Sequence, residues 1–174
     1  MRKERTEVLV VGAGPVGLIS ALLLAKAGAE VTIIDRESRT AARSYACALH
    51  PATLRLLDRL GIASALMEQG RKVETIGFYE GQDRRAELSL AKAGGEFPYL
   101  LIVPQAAFES LLEQRLREHG ITVDWNHRFD SLQQESDAVS VTIEKLGGTA
   151  TGYIVPHWET VVQDRSQISA QYVI

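Results

Sequence analysis

The sequence predicts an α/β fold built on a parallel sheet, and three observations lead there. Residues 8–11 (VLVV) are an apolar run with the composition of a strand buried on both faces. Gly12, Gly14, Pro15 and Gly17 follow at once, and behind them Leu18, Ile19, Leu22, Leu23 and Ala25 form a wide apolar face at helical spacing. Residues 30–35 (EVTIID) are a second branched-aliphatic run. Strand, helix and strand fit the roughly 30 residues of a βαβ unit, whose right-handed crossover lays the two strands parallel.

The remaining elements follow in order. Pro15 suits a first helical turn, where its missing N–H costs nothing, and Gly28 suits the far end of that helix. Residues 36–50 read as a polar loop. Pro51 then opens a second helix with Leu54, Leu57 and Leu60 on one side, ended by Gly61. Residues 73–79 and 86–90 alternate like a hairpin around residues 81–83 and interrupt the alternation of strand and helix. Residues 100–103 read as a strand. Residues 105–119 read as a helix whose Phe108, Leu111, Leu112 and Leu116 share a face, with Gly120 closing it. Two further strands are predicted at 121–125 and 138–143, the second turning at Gly147-Gly148 and returning over 149–155. The final strand, 168–174, stops inside an apolar segment, so the chain reads as the N-terminal part of a longer protein.

Composition narrows the function. The chain has 174 residues and weighs 19.1 kDa, enough for one domain together with a piece of another. With 45% hydrophobic and 24% charged residues it is expected to pack a core. Lys and Arg number 19 against 22 Asp and Glu, a net charge of −3, so no polyphosphate backbone is bound through bulk charge and nucleic acid is not an expected partner. Cys47 is the single cysteine, which excludes an intrachain disulfide and a multi-cysteine zinc site. His50, His119, His127 and His157 lack metal-ligand spacing, so no metal is expected. Residues 8–25 carry no ionisable group and imitate a secretory leader. Glu4 and Glu7 in the would-be basic region, and the glycines and proline inside the apolar run, argue against export or membrane insertion and for a cytoplasmic protein.

The chemistry sits at the first turn. Gly12, Gly14 and Gly17 form GxGxxG between a strand and a helix, and each glycine has its own task. Gly12 allows a tight turn, Gly14 lets a pyrophosphate approach the backbone, and Gly17 lets the helix pack closely on the strand. The free N–H groups of Val16 and Gly17, at the positive dipole end of the helix that Pro15 opens, favour a dianion. Asp35 closes the second strand, where a carboxylate accepts hydrogen bonds from an adenosine ribose and repels a 2′-phosphate. These residues point to an adenine dinucleotide, FAD or NAD rather than NADP.

The segments VLVVGAGPVGL, IIDRESRTAARSYACALHPATLRLLDRLGI and FPYLLIVPQAAFESLLEQRL resemble the class A FAD-dependent aromatic hydroxylases related to para-hydroxybenzoate hydroxylase, over nearly the whole chain. The resemblance implies a Rossmann-like, glutathione-reductase-type FAD-binding domain with a parallel sheet and a β-meander, formed by residues 1–70 and 105–174. Residues 71–104 would be strands of an incomplete substrate domain. It places Gly12, Gly14 and the turn through Gly17 on the FAD pyrophosphate, Asp35 on the ribose and Arg36 beside the adenine. It also implies that Arg43 reaches the cofactor, that Gln105 contacts its ribityl and pyrophosphate region, and that the backbone of Phe129 lies against adenine. The sequence departs from the family at Tyr45, where many relatives carry arginine, and at Asp35, where glutamate is commoner. The implied activity is hydroxylation of a small aromatic substrate with O2, FAD and NAD(P)H as transient reductant. No residue is assigned as catalytic, and the oligomeric state is not implied. A dinucleotide-binding module without turnover and an NAD-linked dehydrogenase stand as the alternatives.

Overall fold

The computed structural model describes residues 5–38, 45–151 and 157–174. It divides into two compact units, Met1–Ala42 with Leu112–Ile174, and Arg43–Leu111.

The first unit is built on a six-stranded sheet. Strand β1 (Arg5–Val11) leads through helix α1 (Pro15–Lys26) to β2 (Val31–Ile34), which pairs parallel with β1 from Val8↔Val31 to Val11↔Ile34. This is the expected crossover unit. Both strands bury their branched side chains: Leu9, Ile33 and Ile34 are fully buried, as is Leu18 of α1. The helix ends in a double-bond cap, with Gly28 N–H donating to Ala25 O and Ala29 N–H to Leu24 O, each at 3.0 Å. That cap requires the left-handed φ of +89° at Gly28, which glycine adopts without strain.

In the second unit, β3 (Ala46–Leu49), β7 (Leu100–Pro104) and β4 (Arg71–Val73) form a three-stranded sheet. Helices α2 (Pro51–Arg59) and α3 (Ala63–Gln69) run between β3 and β4, burying Leu54, Leu57 and Leu66. Strands β5 (Thr75–Glu80) and β6 (Asp83–Ser89) pair as a hairpin. Helix α4 (Gln105–Glu118) follows β7, with Phe108, Leu112 and Leu116 buried on one stripe.

The chain returns to the six-stranded sheet with β8 (Val123–Asp124), β9 (His127–Gln134), β10 (Val139–Thr151) and β11 (His157–Val173). The spatial order is β8-β2-β1-β11-β10-β9, parallel from β8 to β11 and antiparallel across the β9-β10-β11 meander. Leu9, Ile34, Val141, Ile143 and Ile168 form one apolar cluster, with Phe129 and Val173 packed against it.

Several sequence expectations are corrected. Residues 36–50 are not all loop, because 46–49 form β3 against β7. The run 73–79 is split: Val73 ends β4, and the hairpin strand begins at Thr75. Strand 121–125 shrinks to Val123–Asp124, since the left-handed Gly120 (φ +74°) and Asn126 (φ +59°) bend the chain on either side. Helix α3 and strand β9 had no prediction. The Gly147-Gly148 turn does not form. Neither glycine has positive φ, and β10 runs straight through them, paired with Val161 and Thr160 of β11. Glycine is tolerated there because Gln163 of the opposite strand fills the space, its amide nitrogen 2.0 Å from where a Cβ on Gly147 would stand. The long β10–β11 ladder overrides the local turn preference. The predicted return over 149–155 lies partly outside the described residues.

Candidate functional site

The glycine bend between β1 and α1 is held in shape by the sheet. Gly12 donates its N–H to Ile34 O at 2.8 Å and has φ +106°, which a residue with a side chain adopts only under strain. Gly17 packs against the bend so closely that a Cβ on it would lie 1.9 Å from Gly12 O. Gly14 differs: it caps α1 with extended backbone, makes no side-chain cap, and a Cβ on it would meet nothing within 4 Å. The first turn contains Pro15 and no acidic residue, and Val16 is 78% exposed. The geometry of a first turn leaves the amides of Val16 and Gly17 without partners inside the helix. An uncapped, positively polarised helix end therefore faces open space across a glycine, the arrangement a diphosphate requires.

Asp35 stands immediately after β2 and reaches back to the bend. Its Oδ2 accepts the amide of Ala13 at 2.6 Å, and its Oδ1 accepts the amide of Glu37 at 2.8 Å. Both oxygens are oriented by backbone donors, and each keeps a further lone pair for a sugar hydroxyl. The start of β9 and the residue before it are tied to the same loop: Asn126 N–H donates to Glu37 O and His127 N–H to Asp35 O, each at 2.8 Å. These bonds line a cleft of about 330 Å³ with Val11, Gly12, Ile34, Asp35, Arg36, His127, Arg128 and Phe129.

The sequence-derived residues divide into three groups. Gly12, Asp35, Arg36 and Phe129 line this one cleft, and Gly14, Pro15, Val16 and Gly17 form the bend that opens α1. Gln105 belongs to the second unit. There its N–H donates to Tyr45 O at 2.7 Å, its Nε2 donates to Glu109 Oε1 at 2.8 Å, and its Oε1 lies 3.9 Å from the donating Cys47 Sγ. Arg43 lies outside the described residues. Cys47 is half-buried. Burial, with a smaller contribution from the charge of Glu109, pushes its thiol above the ordinary value.

Sequence reasoning missed His127 and Arg128, because nothing in their spacing ties them to the glycine bend. His127 Nδ1 lies 2.7 Å from Trp125 O, and since a carbonyl only accepts, Nδ1 carries the proton and Nε2 is left for another partner. Arg128 is joined to the buried Glu144 of β10, which also holds Arg165 of β11. The hydrogen bonds from Arg128, and then those from Arg165, hold the Glu144 carboxyl below its ordinary value against the opposing effect of its burial. Among the described residues no group of His, Cys, Asp and Glu is placed to hold a metal ion, and no helix is long and apolar enough to cross a membrane.

The family model described as "FAD binding domain" matches residues 5–174. Among curated relatives, para-nitrophenol 4-monooxygenase of Pseudomonas sp. (strain WBC-3) is 30% identical over 147 residues, which cover 82% of this chain and 36% of the relative. The 6-methylpretetramide 4-monooxygenase of Streptomyces rimosus is 32% identical over 143 residues, 81% of this chain and 26% of the relative. Among solved structures, p-nitrophenol 4-monooxygenase from Pseudomonas putida DLL-E4 superimposes with a TM-score of 0.82 at 26% identity, over 98% of this chain and 40% of that one. The chain thus spans 26% to 40% of the length of these relatives.

Proposed function

The chain belongs to the FAD binding domain family of flavin-dependent monooxygenases, and from that premise we propose that it serves as the FAD-binding part of an enzyme that hydroxylates a small aromatic substrate with O2 and NAD(P)H in the cytoplasm. The family decides between the dinucleotides that the sequence left open, in favour of FAD. The observation that carries the reading is the Asp35 carboxylate, anchored 2.6 Å from the Ala13 amide inside the glycine bend and lining the cleft beside it. The residues fit the group: the bend is open at Gly14, the helix end is uncapped, and no acidic side chain of the first turn competes with a phosphate.

In this reading the backbone from Gly12 through Gly17, including Pro15 and Val16 at the helix start, cradles the FAD pyrophosphate. Asp35 accepts hydrogen bonds from the adenosine ribose, while Arg36 and the backbone of Phe129 flank the adenine. Gln105 takes the ribityl and pyrophosphate region, and Arg43 also reaches the cofactor. The strands of residues 71–104 belong to the substrate domain. FAD supplies the redox chemistry when bound, and these residues supply binding and orientation. The aromatic substrate is supported by the relatives, one of which is named for a phenol.

Calorimetric titration of the chain with FAD and with NAD tests the proposal. FAD is expected to bind more tightly than NAD, and Asp35→Ala to weaken FAD by roughly 10- to 100-fold, the worth of a charged hydrogen bond. Preferential binding of NAD, or an Asp35→Ala chain that binds FAD unchanged, would overturn it.

A further inference from the structure

Glu144 is 1% exposed, yet its carboxylate is shared between two arginines that are not buried. Oε2 accepts from Arg128 Nε at 2.9 Å and from Arg128 Nη2, while Oε1 accepts from Arg165 Nε at 3.0 Å and Nη2 at 2.7 Å. Each guanidinium is gripped along one edge, which fixes its plane and leaves its faces free. The side chains of Arg128 and Arg165 remain 49% and 67% exposed. Buried ion pairs of this kind are often replaceable by apolar residues with no loss of stability, so the fold alone does not call for one. What separates the two arginines is position: Arg128 lines the cleft with Asp35, Arg36 and Phe129, and Arg165 does not.

We propose that Arg128 is a cofactor-binding residue whose guanidinium, held flat by Glu144, stacks on the adenine of the dinucleotide, with Glu144 as its positioning residue. The inference rests on the FAD reading above and deepens it at the adenine end. A guanidinium plane packs against a purine face, and its charge is compatible with the neighbouring diphosphate. Arg36 does not duplicate this role, because its partner is the exposed Glu37 at 3.4 Å, which leaves its orientation loosely defined.

The test titrates the whole chain with FAD and with ADP, the part of FAD that carries the adenine. Arg128→Ala is expected to weaken both by about 10-fold, the scale of one stacked base. Arg128→Lys keeps a charge for Glu144 and so protects folding but lacks the plane, and it is expected to remain several-fold weak. Arg165→Ala removes the other half of the same ion-pair cluster without touching the cleft, and it is expected to bind FAD and ADP within twofold of the unmodified chain. Unchanged binding in Arg128→Ala, full affinity in Arg128→Lys, or equal losses in Arg128→Ala and Arg165→Ala would each overturn the inference and leave the FAD reading standing. An unmodified chain that binds neither FAD nor ADP would overturn both.

Discussion

A methyl group separates two glycines of the same bend by what it would strike. At Gly17 it would fall 1.9 Å from the Gly12 carbonyl oxygen, a backbone atom that cannot move without reshaping the turn. Gly17→Ala is expected to cost about 1–3 kcal/mol of stability, measured by thermal or denaturant melting. At Gly14 the methyl would meet nothing within the protein, and the φ of −73° is one that alanine adopts freely. Gly14→Ala should therefore melt within about 0.5 kcal/mol of the unmodified chain and, on the proposed FAD reading, lose FAD affinity, because the methyl enters the path assigned there to the pyrophosphate. A Gly14→Ala chain that unfolds instead would mean that the glycine serves packing. Cys47 gives a second reading at this scale. Its thiol is raised by burial and by Glu109, so alkylation by iodoacetamide at pH 7.5 is expected to run slower than for a free cysteine and to accelerate on unfolding.

At the scale of elements, legibility tracks the range of the forces involved. The β1–α1–β2 unit could be read from the sequence because its signals are local: branched runs, a proline at the first helical position, and Gly28 where a left-handed residue ends the helix. Gly12, Asp35 and Arg36 came with it, since the crossover itself brings the end of β2 to the bend. Strand β9 was not legible. It is an edge strand whose sequence HRFDSLQQ is exposed at most positions, so no alternation marks it, and His127 and Arg128 were missed with it. Gly147-Gly148 was misread because only the partner strand reveals that the chain stays extended there. The meander also titrates. The native pKa of Glu144 is lowered from the ordinary 4.5 by the bonds from Arg128 and Arg165. Its contribution to stability is therefore complete above 4.5 and is lost as pH falls through the lower native value. Melting temperature is expected to fall on acidification from pH 5 to pH 3, and Glu144→Gln should flatten that slope while lowering stability at neutral pH.

At the scale of the whole molecule, chain order and spatial order diverge. The first unit is assembled from the two ends of the chain, with Arg43–Leu111 placed between them in sequence. Strand β11 lies between β1 and β10, pairing Arg5 with Ser169 and Val139 with Ala170. The bond from Val11 N–H to Ile174 O, at 2.8 Å, extends that support to the edge of the glycine bend. Removing residues 168–174 would separate β1 and β2 from the meander and uncover Leu9 and Val141 of the shared core. Such a truncation is expected to abolish cooperative melting in circular dichroism, and retention of a native transition would show that β1 and β2 stand without the meander. The α/β class and the parallel sheet were legible in the sequence, whereas the meander was implied by the family resemblance alone. The placement of the last strand at the centre of the sheet was not, because it depends on a pairing across most of the chain's length.

That placement also orders events during synthesis. The ribosome releases the glycine bend well before β11, the strand that braces β1 beside it. In that interval the apolar flank of β1 stands without the neighbour that later covers it.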